Sequence, residues 1–106
     1  MLFKETKISE AQIQAECYRR LRNLGIEVYL EYKHRNCRFD LVVVENGEIV
    51  VIVEIKNHQR HYDPARTFKT KQFKKYSSLG IPLVYCLSWD ELEKTISQIL
   101  LFLRRS

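Results

Sequence analysis

The chain has 106 residues, 45% hydrophobic and 29% charged, which is enough for one domain over 1–106 with a single core. Its 18 basic residues against 13 acidic ones leave a formal charge of +5, which favours a polyanionic partner. No apolar run is long enough to span a bilayer, the start Met1-Leu2-Phe3-Lys4-Glu5 lacks a signal-peptide core, and Cys17, Cys37 and Cys86 have no metal-ligand spacing, so the expectation is a cytoplasmic protein with reduced cysteines and no membrane contact.

After a lead-in without pattern, Ser9 reads as a helix N-cap, Gln12 closes a capping box and Ile8 is placed for a hydrophobic staple. Ile13, Cys17, Leu21 and Leu24 form the apolar stripe, and Gly25 is the stop. Glu16 flanks that stripe one turn from Arg20 and on its own reads as a surface ion pair, worth a few tenths of a kcal/mol. The alternating run from Ile26 to Tyr32 predicts the first strand, and Lys33 to Asn36 a polar turn.

Two β-branched runs, Phe39 to Val44 and Glu48 to Lys56, then flank Asn46-Gly47, a strong hairpin signal. The aliphatic run is nearly continuous, so both faces of these strands should be covered. Into this ribbon the sequence sets Asp40 at the start of one strand, and Glu54 and Lys56, which share a face, at the end of the next. Buried charges of this kind need pairing or a metal. A regular two-residue loop would put Asp40 opposite Val53 and turn Glu54 away. The two acids oppose each other only with a three-residue loop or a one-residue bulge, so an irregularity is predicted here.

Past Lys56, Asn57 to Tyr62 reads as a polar, basic loop. His58 and His61 are three apart, so a metal pair is conceivable, but a phosphate contact or plain surface suits a loop better. Asp63-Pro64 caps a helix running to about Ser78 and stopping at Gly80. Its inner face is Ala65, Phe68, Gln72, Tyr76 and Leu79, with Gln72 a polar member that must find partners. From Lys56 to Lys75 there are seven basic residues, including Arg60, Arg66, Lys69, Lys71, Lys74 and Lys75, against one acid, Asp63. That density, directly after the carboxylates, suits a nucleic-acid face better than an ordinary lysine-rich surface. Ile81 to Leu87 is the fourth strand, with Pro82 tolerable at its beginning. Ser88 to Glu91 reads as another capping box. The last helix carries Leu92, Ile96, Ile99, Leu100 and Leu103 on one stripe, either core or dimer face.

The expected fold is therefore α/β. A three-stranded antiparallel meander is followed by a crossover helix, so the fourth strand lies parallel to a neighbour in a mixed sheet. Helices cover both faces, with one extra C-terminal helix. Two carboxylates at adjacent strand ends make a hard oxygen site suited to Mg²⁺ or Mn²⁺, to which the Ile55 carbonyl could add a ligand. Lys56 could orient or deprotonate an attacking water. The bland alternative is a buried ion triad of Asp40, Lys56 and Glu54.

Asp40, then Glu54-Ile55-Lys56 after a hairpin, within an αβββαβ order, resembles the PD-(D/E)XK nuclease superfamily of restriction-endonuclease-like fold. Glu16 is similar to its extra metal-proximal glutamate, and Gln72 with Tyr76 to the accessory motif of its RecB-like and VRR-Nuc-like branches. The likeness covers roughly Ser9 to Leu87; Phe39 stands where many members have proline. It implies a metal-dependent DNA endonuclease of low sequence specificity, leaving a 5′-phosphate and a 3′-hydroxyl. Asp40, Glu54, the Ile55 carbonyl and Glu16 would hold the metal, Lys56 would position the nucleophile, and Gln72 would bind the phosphate or orient Lys56. Tyr76 would support the helix, and the stretch with Arg60, His61 and the lysines would grip the backbone. Junction, flap or nick cutting stay open, as does RNA. Double-strand cleavage by a single site would need a homodimer. The competing reading is a catalytically inactive nuclease-like module that only binds nucleic acid or serves in assembly.

Overall fold

The computed structural model describes residues 8–34, 37–56 and 80–104. Helix α1 spans Glu10–Asn23 and starts as its sequence predicts. The Ser9 hydroxyl accepts the Gln12 N–H at 3.2 Å, and the Gln12 side chain accepts the Ser9 N–H at 2.7 Å. Ile13, Cys17 and Leu21 are fully buried, and Ile8 packs against the same cluster. Leu24 departs from the predicted stripe and is 57% exposed. It is the C-cap, where Gly25 at φ +79° turns the chain outward before Ile26 returns its N–H to the Leu21 carbonyl at 3.1 Å.

Strands β1 (Glu27–His34), β2 (Cys37–Glu45), β3 (Glu48–Ile55) and β4 (Leu83–Cys86) form one sheet in the order β1-β2-β3-β4. The first three are antiparallel, and β4 runs parallel to β3. Strand β1 is longer than predicted, because Lys33 and His34 pair with Arg38 and Cys37 instead of turning. As the outer strand among the described residues, β1 can carry polar side chains without burying them. Strand β4 is shorter than the run from Ile81 to Leu87, and Pro82 before it contributes only its carbonyl, to the Ile52 N–H at 2.9 Å.

Helix α2 (Leu92–Arg104) is entered through a 3₁₀ turn at Trp89–Glu91. The capping box predicted at Ser88 does not form. The tight turn hands the Glu91 N–H to the Ser88 carbonyl, at 3.1 Å, so the donor the hydroxyl would have capped is already used. The α2 stripe is core: Leu92, Ile96 and Ile99 join Ile13, Cys17 and Leu21 over Leu41, Val43, Val51 and Val53, with Leu100 and Leu103 partly buried beside them. Thr95, buried in that stripe, donates to the Glu91 carbonyl at 2.9 Å. Both α1 and α2 thus lie on one face. The other face of β2 and β3 buries Cys37, Phe39, Val42 and Ile52. The helix expected over 63–78, which would supply the second helical layer, lies outside the described residues. No helix among the described residues is long and apolar enough to cross a membrane.

Candidate active site

The site begins with the hairpin. Asn46 at φ +53° and Gly47 at φ +80° make a two-residue loop that pairs Glu45 with Glu48 and Val44 with Ile49. Continued regularly, that register would set Asp40 against Val53. The ladder instead shifts between Val44 and Val43: Val43 pairs with Val51, leaving Val50 as an extra residue on β3. Val42–Ile52 and Leu41–Val53 follow, so the next position opposes Asp40 and Glu54. The bulge demanded by the sequence is present, at Val50.

A second irregularity was not legible. Leu41 and Val43 face the helices, and alternation would send Phe39 the same way. Phe39 and Cys37 instead join Val42 on the opposite face, so the alternation of β2 breaks at Asp40. On β1 the pairs Leu30–Leu41 and Tyr32–Phe39 bracket Glu31, placing it across from Asp40. Glu31 has φ +52°, a left-handed conformation that costs a non-glycine residue about 1–2 kcal/mol. Nothing in the alternation from Ile26 to Tyr32 announces it.

The two acids are wired through the backbone. Asp40 Oδ2 accepts the Ile55 N–H at 2.8 Å, and the Asp40 N–H points to Glu54 Oε1 at 3.4 Å. From α1, Gln14 Nε2 donates to the Asp40 carbonyl at 2.8 Å and to Glu31 Oε1 at 3.1 Å. The Lys56 N–H donates to the Cys86 carbonyl at 2.8 Å, which ties the end of β3 to β4. Glu54 is only 2% exposed. Burial, together with the Asp40 charge and hydrogen bond, pushes its carboxyl up to about 8, while Lys56 pulls the other way. Below that pH one proton relieves the repulsion between the two acids; a hard cation would relieve it equally well. Asp40 and Glu54 supply hard oxygens of the kind that Mg²⁺ or Mn²⁺ takes.

A solved VRR_NUC domain matches this structure with a TM-score of 0.56 at 22% identity, over 83% of this chain and 94% of that one. The chain has a VRR_NUC-like fold. No family model matches its sequence, and no curated protein does. Within the VRR_NUC-like fold, Asp40 and Glu54 come together where β2 pairs with the end of β3, and Lys56 follows one residue beyond that strand.

Glu16 does not join them as it stands. Its carboxylate accepts from Arg19 Nε at 2.8 Å, Arg19 Nη2 at 2.6 Å and Arg20 Nε at 2.8 Å. Those arginines hold it down at about 2. Among the described residues, no three acidic, histidine or cysteine side chains gather into a metal cluster. The Glu16–Arg20 pair that the sequence offered is present, with Arg19 added to it, and the α1 side chain that meets Asp40 is Gln14. Gln72, Tyr76, His58, Arg60, His61, Arg66, Lys69, Lys71, Lys74 and Lys75 lie outside the described residues.

Proposed function

We propose that the protein is a metal-dependent DNA endonuclease that hydrolyses phosphodiester bonds with low sequence specificity, selecting DNA by its structure. The observation that carries this reading is the bulge-set opposition of Asp40 and Glu54, with Lys56 one residue past the strand, in a VRR_NUC-like fold. Asp40, Glu54 and the Ile55 carbonyl would hold Mg²⁺ or Mn²⁺, with Glu16 reaching it only after leaving its arginines. Such an ion supplies water of lowered pKa and neutralises charge on the phosphoryl group. Lys56 holds and orients the attacking water or takes its proton. Gln72 contacts the phosphate or steers Lys56, and Tyr76 supports its helix. Arg60, His61, Arg66, Lys69, Lys71, Lys74 and Lys75 grip the sugar-phosphate backbone, a contact that weakens with salt and carries little sequence information. Three buried, free cysteines suit a reducing cytoplasm. Cutting both strands at once calls for a homodimer.

A second reading has one observation in its favour: Glu16 is engaged by Arg19 and Arg20, so the acid set is not assembled among the described residues. On that reading the chain binds nucleic acid without cutting it. Incubation of supercoiled plasmid, single strands, flaps, four-way junctions and RNA with Mg²⁺ or Mn²⁺ separates the two. Cleavage by the wild type, lost in Lys56→Ala, is expected. Binding without cleavage by the wild type would favour the binding module.

A further inference from the structure

Between helix α1 and the acid pair runs a chain of polar contacts that no sequence motif announces. Arg38 Nε donates to Glu31 Oε2 at 2.8 Å, and the same two side chains form an ion pair. Glu31 accepts from Gln14 through its other oxygen, and Gln14 uses the same nitrogen on the Asp40 carbonyl. A primary amide nitrogen has two hydrogens, so both donors of Gln14 have an acceptor. The amide orientation follows, because the reverse one would set an oxygen against two acceptors. Asp40 in turn accepts the Ile55 N–H and directs its own N–H toward Glu54. All of this meets where β2 breaks its alternation and where β1 holds Glu31 in a left-handed conformation. The Asp40 backbone is thus turned away from a regular ladder, and a helix side chain meets its carbonyl.

We infer that Gln14 is a positioning residue for the Asp40–Glu54 pair, its carboxamide fixing the Asp40 backbone at the strand break and Glu31 fixing the carboxamide. The inference rests on the reading of that pair as a cation site, and it assigns Gln14 no contact with substrate. Polar groups that orient metal ligands typically matter by about 10–100-fold in affinity. A left-handed non-glycine residue is a feature that the surrounding structure must hold in place, and here the holding side chains lead directly to Asp40.

The test uses the full chain and two readouts. The first is Mn²⁺ affinity by calorimetry. The second is the hydrogen-exchange rate of the Ile55 amide, which donates to Asp40 Oδ2, relative to that of Val53. Gln14→Ala and Gln14→Met should each weaken Mn²⁺ binding by about 10–100-fold. They should also speed Ile55 exchange relative to Val53. Glu31→Gln, whose single amide oxygen cannot accept from both Gln14 and Arg38, should shift both readouts in the same direction as the Gln14 variants and by less. If Gln14→Ala does not fold, Gln14→Met carries the test, since it keeps the length and removes the donor without adding a charge. Unchanged affinity and unchanged Ile55 exchange would overturn the inference. So would equal acceleration at Ile55 and Val53, which marks a general stabilising role. Wild-type protein that binds no Mn²⁺ would remove the cation reading, and Ile55 exchange would then decide the positioning role alone.

Discussion

Glu54 concentrates the physics of the site in one side chain. It is 2% exposed, and burial beside a second acid pushes its carboxyl from an ordinary 4.5 up to about 8. Because the folded value lies above the unfolded one, the protonated carboxyl favours the folded state. That contribution is fully present below about 4.5 and is lost as pH rises through about 8. Metal-free wild type should therefore lose on the order of 2 kcal/mol more stability between pH 6 and pH 9 than Glu54→Gln, whose amide mimics the protonated acid. Urea unfolding in a chelator measures this, and parallel slopes for the two proteins would contradict it. Glu16 behaves in the opposite sense. Arg19 and Arg20 hold it at about 2, so its contribution is present above its usual titration range and lost only in strong acid. The sequence could not tell Glu16 from Gln14. Helical period puts them on opposite flanks of the Ile13–Cys17 stripe, and only the way α1 docks on the sheet decides which flank meets Asp40.

At the scale of elements, the hairpin was readable because its two constraints conflict. Asn46-Gly47 demands a two-residue loop, and opposition of the acids demands one more residue on β3; the bulge at Val50 meets both. Helix α1 was readable from its cap and stripe, and β2 and β3 from their aliphatic runs. The kink at Glu31 and Asp40 was not, since a left-handed glutamate has no sequence signature. Nor was the 3₁₀ entry to α2, where backbone pairing took the donor that Ser88 was expected to cap. The bulge makes a specific prediction. Deleting Val50 gives a regular hairpin in which Val43 still pairs with Val51, so Asp40 still faces Glu54 and metal-dependent cleavage should survive. Deleting Val50 and Val51 together would bring Ile55 opposite Asp40, turn the buried β3 side chains to the wrong faces and abolish activity. Cleavage and melting of the two deletion variants check this; equal loss in both would show that the bulge itself, and not the register, is required.

For the molecule as a whole, one core under α1 and α2 supports a sheet whose central strands are buried on both faces. Each fully buried aliphatic side chain contributes about 1.5–3 kcal/mol, so the scaffold can carry the cost of a buried acid and a left-handed glutamate. A cation in place of the proton between Asp40 and Glu54 would lower that cost. A ligand that binds only the folded state stabilises it by mass action, by about 2.7 kcal/mol at a hundredfold excess over Kd. The measurement that tests the cation site most directly is the melting temperature of the whole protein titrated with Mn²⁺, beside Asp40→Asn. The wild type should gain on the order of 10 °C at saturation, and the variant little or nothing. A wild type that gains nothing, or a variant that gains as much, would contradict the assignment of Asp40 and Glu54 as the cation site.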